Sequence, residues 1–144
     1  MNKEAVLNLE RELQFSKFTH EIGLKIALDI IENVQEHKRK GVSIRIVYEG
    51  LLIFQYLMDG RKESPWLKRK EKTVLDSGHS SLLTFVMSDE NPEYQKWMKD
   101  ETYAVCGGGF PITEKNEVKG AICVSGLHHE EDHRLIVDAL KKFT

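Results

Sequence analysis

The chain has 144 residues, 40% of them hydrophobic and 31% charged, and is long enough to enclose a hydrophobic core as one globular domain over residues 1–144. Its formal net charge of −2 argues against a nucleic-acid-binding domain, which is typically basic. No apolar run approaches the roughly 18 residues of a membrane-spanning helix, and the amphipathic N-terminus lacks the apolar stretch of a signal peptide. The two cysteines, Cys106 and Cys123, do not make a disulfide framework, so we expect a reduced cytoplasmic setting.

Two amphipathic helices are predicted in the first third of the chain. Apolar residues recur at helical spacing in residues 2–15 and again, over a broader stripe, in residues 20–38. Thr19 is the predicted N-cap of the second helix, because its hydroxyl can accept a hydrogen bond from the first turn. Gly41 follows a basic run that suits a helix C-terminus.

The pattern then changes to that of a β-hairpin. Residues 42–58 contain two runs rich in β-branched and aromatic residues, joined at Glu49 and Gly50. The second run is apolar on both faces, so we expect it to lie beneath helices.

A third helix is predicted to begin at the sequence Ser-Pro-Trp, with Ser64 as N-cap and Pro65 in the first helical position. Lys70 falls on a partly buried stripe of this helix. The pattern favours a snorkelling lysine, whose stem lies along the apolar wall while its ammonium reaches water. Gly78 interrupts the helix, and residues 79–81 are suited to cap a short further one.

The last third of the chain is predicted to contain two more strands and a helix. Residues 103–106 and 119–125 have strand-like patterns, and residues 129–143 form an amphipathic helix with acids at its start and lysines at its end. The strands occur as local pairs without βαβ alternation. The element order therefore favours an α+β domain with an antiparallel sheet flanked by helices.

The run Gly107, Gly108 and Gly109 does not match a nucleotide-binding loop. A P-loop continues into Gly-Lys-Ser/Thr and a helix, whereas here Phe110 and Pro111 follow and lead into a strand. Two interpretations stay open: a bulge or tight bend, or a place where a ligand or neighbouring subunit approaches the backbone.

Residues 129–133 spell H-E-x-x-H, the zinc-binding pattern of metalloproteases. Only eleven residues follow His133, and none of them is a His, Cys or Glu that would complete the ligand set. Adventitious metal binding by His128, His129 and His133 is more plausible than a protease, and we predict no metal site. Ser125 lacks the flanking glycines of a nucleophile elbow, so no catalytic residue is predicted.

Three motifs resemble the haem-degrading, GlcG/HbpS-like domain family, and within it a branch of uncharacterised proteins. The motifs are Gly-Gly-Gly-Phe-Pro-Ile at 107–112, Gly-Ala-Ile-Cys-Val-Ser-Gly at 120–126 before an acidic helix start at Asp132, and Ser-Pro-Trp-Leu-Lys-Arg-Lys at 64–70 with Ser80 and Ser81. The resemblance extends from about Phe18 onward. It implies a profilin-like fold with a five-stranded antiparallel sheet, helices on both faces, and homo-oligomers. Residues 103–106 and 110–113 would then be separate strands.

Two functional hypotheses are open, and the first follows from the resemblance, because some members of the family bind or degrade haem. In the first, a pocket between subunits binds haem or another small anionic ligand, with cations holding a carboxylate and aromatic side chains covering a flat face. Its predicted lining residues are Trp66, Arg69, Lys70, Gly107, Gly108, Gly109, Phe110, Pro111, Ser125, Gly126 and His128. In the second, the protein is a structural or adaptor oligomer, and Trp66 and the glycines lie in subunit contacts. An enzyme acting without haem is a third possibility.

Overall fold

The computed structural model of the protein describes residues 2–144. Over that part of the chain, helices and strands follow the order α1 (Lys3–Glu12), α2 (His20–Glu36), β1 (Ser43–Tyr48), β2 (Leu51–Leu57), α3 (Trp66–Ser77), α4 (Ser81–Val86), a 3-10 turn (Ser88–Glu90), α5 (Pro92–Met98), β3 (Gly109–Glu114), β4 (Glu117–Ser125) and α6 (His129–Phe143). Among the described residues, no helix combines the length and apolar character needed to cross a membrane.

The sheet has four strands in the order β2-β1-β4-β3, and every neighbouring pair is antiparallel. The predicted α+β class and the first hairpin are thereby confirmed, whereas the predicted five strands are wrong. Residues 103–106 form no strand, because side chains rather than a neighbouring strand bind their backbone. Arg69 Nε donates to the Tyr103 carbonyl at 2.7 Å, and the Ala104 N–H donates to Thr73 Oγ1 at 2.8 Å.

Helices cover both faces of the sheet. On one face, α2 and α6 pack over the large core, and β4 contributes Ile122 and Val124 to it. On the other face, α3 packs over a smaller apolar cluster, to which β4 contributes Ala121 and Cys123. The alternation along β4 follows from the two-residue repeat of a strand.

The strand β2 lies at the edge of the sheet, where Ile53 and Phe54 pack against the large core but much of the strand is exposed, so the prediction that helices cover it is only partly right. Leu51 and Leu52 are 58% and 51% exposed. The helix α2 packs against part of β2, which is the outermost strand on its side of the sheet. Its apolar character therefore leaves hydrophobic side chains at the surface.

Two of the three predicted N-caps are confirmed. Thr19 Oγ1 accepts a hydrogen bond from the Ile22 N–H at 3.1 Å, and Ser80 Oγ accepts from the Leu83 N–H at 3.2 Å. The prediction for Ser64 is wrong, because α3 begins at Trp66 and its flanking residue is Pro65, whose side chain cannot accept a hydrogen bond.

Candidate functional site

A cleft of about 280 Å³ opens where β4 ends and α6 begins, against the first turns of α3. The chain turns sharply at Gly126, which follows the last residue of β4, and this turn brings the start of α6 beside α3. The residues that line this space, called the main cleft below, are Arg61, Trp66, Lys70, Cys106, Ser125, Gly126, Leu127, His129 and Asp132.

A buried ion pair between Lys70 and Asp132 forms the floor of the main cleft. Lys70 Nζ donates to the Val124 carbonyl at 2.7 Å and to Asp132 Oδ2 at 3.3 Å, and Asp132 Oδ1 accepts from the Leu127 N–H at 3.0 Å. Lys70 and Asp132 are only 3% and 1% exposed. The predicted snorkelling of Lys70 is therefore wrong, because a carbonyl and a carboxylate in the interior replace the water that an ammonium otherwise needs.

The prediction that Asp132 only complements the helix dipole is incomplete, because its carboxyl group is buried and paired with Lys70. Burial raises the pKa of its carboxyl, while the Lys70 ammonium and the Leu127 N–H oppose that rise. The Lys70 ammonium thus favours the charged form of the carboxyl group, and the two side chains form one buried pair.

The glycine run serves the close approach of side chains from the same chain. Gly108 has a φ of +120°, and a Cβ there would overlap with Lys70 Nζ and the Val124 carbonyl. A Cβ on Gly107 would overlap with the His129 carbonyl. The positive φ of Gly108 fits the tight bend among the two interpretations of the run, and the groups that approach the glycines are side chains and backbone of this chain, which neither interpretation named.

His129 is held as a neutral imidazole at the edge of the main cleft. Its Nδ1 accepts a hydrogen bond from the Gly107 N–H at 2.8 Å. Burial lowers the pKa of His129, and His128 lowers it further. In the neutral ring with Nδ1 as acceptor, the hydrogen lies on Nε2, so His129 offers a donor.

The same hydrogen bond argues against a zinc site at H-E-x-x-H. A metal on Nε2 of His129 would require the hydrogen on Nδ1, where the Gly107 N–H already points. His133 lines a different cleft, between α1 and α6, together with Leu9 and Arg134. Within residues 2–144, the side chains close enough to share a metal are His128, His129 and Glu130, whose ligand atoms lie within 4.8 Å of one another.

A second cleft of about 180 Å³, called the aromatic cleft below, adjoins the main cleft. Trp66 and Cys106 line both spaces. The other residues of the aromatic cleft are Arg69, Trp97, Met98, Tyr103, Ala104 and Val105. The Arg69 guanidinium lies 4.1 Å from the centre of the Trp66 ring.

The structure brings together only part of the predicted site. Trp66, Lys70, Ser125 and Gly126 line the main cleft, and Arg69 lines the aromatic cleft. Gly107, Gly108 and Gly109 lie behind the main cleft, where Gly109 donates its N–H to Ser81 Oγ. The remaining three predicted residues lie elsewhere: Phe110 is in the large core, Pro111 lines a depression beside α1, and exposed His128 flanks the start of α6.

Sequence reasoning missed Arg61, Cys106, His129 and Asp132 as lining residues. A signal for Asp132 was present, because it lies three, four and seven residues before apolar residues of the buried stripe of α6. Lys70 likewise lies on the buried stripe of α3. Opposite charges on two buried stripes predict an ion pair between them.

Fold and cleft together are those of an α+β domain with a four-stranded antiparallel sheet, helices on both faces, and a polar cleft at the end of a central strand. The family model described as "Haem degrading protein HbpS-like" matches residues 18–141. The chain belongs to this family, and the predicted resemblance is confirmed.

Several relatives match nearly the whole chain, among them the following two. A UPF0303 protein of Psychromonas ingrahamii is 33% identical over 141 residues, covering 94% of this chain and 88% of the relative. A UPF0303 protein of Saccharomyces cerevisiae is 30% identical over 148 residues, covering 97% of this chain and 83% of the relative.

Solved structures share the fold. The crystal structure of the Ybr137w protein has a TM-score of 0.87 at 28% identity, covering 99% of this chain and 87% of that one. HbpS has a TM-score of 0.70 at 20% identity, covering 90% and 92%. The PduOC:Heme complex has a TM-score of 0.71 at 16% identity, covering 86% and 93%. At these identities, the last two show a shared fold alone.

The side chains of the main cleft do not fit a haem iron. Coordination through His129 Nε2 would put a hydrogen on Nδ1 and break the bond from Gly107. Burial raises the pKa of the Cys106 thiol, which disfavours the thiolate that iron prefers. The cleft offers hydrogen-bond donors instead, and these suit an anion.

Proposed function

We propose that the protein binds a small organic anion in the main cleft. The supporting observation is a convergence of donors: Arg61, Lys70, Ser125 and His129 line one concave space. Among its lining residues the only carboxylate is Asp132, which already has partners. A cleft with unused donors and no unused acid favours a negatively charged guest.

The charged side chains of the main cleft are a neutral ion pair, Lys70 with Asp132, and one cation, Arg61, which has no acidic partner within residues 2–144. Lys70 and Asp132 compensate each other, and Lys70 uses two of its three N–H groups on Val124 and Asp132, which leaves one for a ligand. Arg61 Nε donates to Ser43 Oγ at 3.1 Å. The terminal nitrogens of Arg61 remain for bidentate binding of a carboxylate.

Calorimetric titration with oxalate and benzoate as probes tests this function. We expect binding that weakens about tenfold or more in Arg61→Gln, because charge-assisted hydrogen bonds contribute roughly 1.5–3 kcal/mol. Lys25→Gln is the matched control, since it removes the same charge from an exposed position on α2. Absence of heat with both acids at millimolar concentration would reject the proposal.

Haem is tested separately by titration with haemin, because the family description names it. We expect no Soret shift that depends on the main cleft. A shift that is present in the unaltered protein and lost in both Arg61→Gln and His129→Ala would instead assign haem to this cleft.

A second candidate function is that of a structural or adaptor homo-oligomer, formed by residues 1–144 as one cytoplasmic domain. The supporting observation is a group of exposed apolar side chains on α2 and the edge strand β2: Leu24, Leu28, Leu51, Leu52 and Tyr56. Exposed apolar side chains, some of them on a strand with an unpaired edge, favour association. Native mass spectrometry measures subunit number and retained ligand together. Finding only the monomer, both for the unaltered protein and for Leu52→Glu, would contradict the oligomer.

A further inference from the structure

The ring of Trp66 separates the main cleft from the aromatic cleft. It contributes to the lining of both spaces and is 41% exposed, although it is the first residue of α3. Exposed tryptophan at a concave site offers a large flat contact surface with one polar edge.

One face of this ring is already covered. The Arg69 guanidinium lies 4.1 Å from the ring centre, and Arg69 Nε is fixed by the Tyr103 carbonyl at 2.7 Å. Arg69 lines only the aromatic cleft, whereas Lys70 and Arg61 line only the main cleft. Because Arg69 covers one face, the face of Trp66 left for a guest is the opposite one, and Trp66 also lines the main cleft.

The other aromatic rings nearby are occupied by one another. Trp97 and Tyr103 stack with ring centres 4.2 Å apart and planes within 1°. Lys72 Nζ lies 4.8 Å from the centre of the Tyr103 ring. Trp97 and Tyr103 thus cover each other, and of the tryptophan and tyrosine rings that line the two clefts, Trp66 is the one with an open face.

From this arrangement, and on the basis of the proposed function, we infer that the anion is a planar aromatic acid. Its acid group faces Arg61 and Lys70, and its ring stacks on the open face of Trp66. The cleft volume of about 280 Å³ lies just below the usual range of ligand pockets, about 300–1,000 Å³. That size suits one or two fused rings rather than a macrocycle.

Calorimetry with 2-naphthoate and its saturated counterpart, decahydro-2-naphthoate, tests the inference. The two acids have the same charge and carbon skeleton but differ in planarity. We expect 2-naphthoate to bind about fivefold to tenfold more tightly, as expected for an aromatic pair in favourable geometry. Trp66→Leu removes this preference by lowering the affinity for 2-naphthoate toward that for the saturated acid, whereas Trp66→Phe retains most of the preference.

Tyr56→Leu is the matched control, because Tyr56 is an exposed aromatic residue on β2 away from both clefts. We expect the Tyr56→Leu variant to bind oxalate, 2-naphthoate and decahydro-2-naphthoate with the affinities of the unaltered protein. Equal binding of the flat and saturated acids, or a preference that persists in Trp66→Leu, overturns the inference while the anion site stands. Failure of oxalate, benzoate and both naphthalene-derived acids to bind overturns the proposed function together with this inference.

Discussion

The two faces of the sheet bury different kinds of side chain. The face toward α2 and α6 packs large apolar side chains, among them Ile44, Ile46 and Phe110, all of them fully buried. The face toward α3 has small apolar residues and buried polar ones, including Lys70 and Thr73. The first face supplies most of the hydrophobic burial, and the second positions polar groups beside the main cleft.

Small residues on the α3 face let this helix approach the sheet closely. A Cβ on Gly109 would crowd Val74 and the Lys70 carbonyl, both on α3. Because the helix lies so near, Lys70 Nζ reaches the Val124 carbonyl on β4. Close packing thus determines where the buried charge lies. This face buries less apolar surface than the other and holds polar groups in defined positions instead.

Two neighbouring residues of α6 show the same difference between the polar and the apolar face of the sheet. Asp132 is buried and has Lys70 and Leu127 as hydrogen-bond partners. His133 is equally buried, but neither ring nitrogen has a partner among the described residues. Asp132 points to the polar cleft, whereas the His133 ring lies 5.8 Å from that of Phe110 in the large core.

The largest expected effect comes from breaking the ion pair on the polar face. Lys70→Met leaves Asp132 buried without its counter-ion, so we expect the free energy of unfolding to fall by about 3–5 kcal/mol. Urea denaturation at pH 7 measures the change. The double variant Lys70→Met/Asp132→Leu should recover most of it, because no uncompensated charge remains. A double variant as unstable as the single one would contradict the assigned role of the pair.

The next effect comes from the close approach at Gly108. Gly108→Ala combines a positive φ with overlap against Lys70 and the Val124 carbonyl, so we expect a loss of about 3 kcal/mol in urea denaturation. Gly60→Ala is the control, because Gly60 also has a positive φ of +89° but has open space, with no atom within 4 Å, where a Cβ would lie. It should lose only about 1 kcal/mol, the usual cost of the backbone conformation. Equal losses in the two variants would show that the close approach contributes nothing.

On the apolar face, His133 should make stability depend on acid. Burial, together with the neighbouring charge of Arg134, lowers the pKa of His133 to about 4. Below its ordinary pKa near 6.5, the unfolded chain therefore takes up a proton that the folded protein refuses. Stability is lost as the pH falls from about 6.5 to about 4, by roughly 2–3 kcal/mol.

The variant His133→Leu isolates this contribution, because it removes both unpartnered nitrogens at similar volume. Urea midpoints at about pH 7, 5.5 and 4 should show a shallower acid loss in the variant than in the unaltered protein. Identical pH slopes would show that His133 is not responsible.

The apolar face was largely predictable from the sequence. Helical spacing located α2 and α6, and the β-rich runs located β1, β2 and β4, because burial on a regular element repeats with the period of that element. The edge position of β2 was not predictable, since the order of strands depends on long-range pairing that a local pattern does not record.

The polar face was predicted only in part, for the opposite reason. Its key contacts join residues far apart in the chain, such as Lys70 with Asp132 and Gly107 with His129. Local reasoning therefore assigned Lys70 to solvent and Asp132 to the helix dipole. The motifs around Trp66 and Ser125 did indicate the right neighbourhood, because a flat aromatic residue and a strand end both stand out in sequence.

The smallest expected effect tests whether stability on the polar face depends on the burial of a charged group or on ion pairing alone. Arg45 on β1 donates to Glu71 Oε1 on α3 at 2.6 Å and to Gln55 Oε1 at 2.8 Å, but its side chain stays 12% exposed. Water screens this pair more than it screens Lys70, so Arg45→Met should cost only about 1 kcal/mol in urea denaturation. Arg39→Met, which loses a more exposed pair with Glu131, should cost almost nothing. A loss in Arg45→Met as large as that in Lys70→Met would mean that pairing across the α3 face, rather than the enclosure of one ammonium, determines its stability.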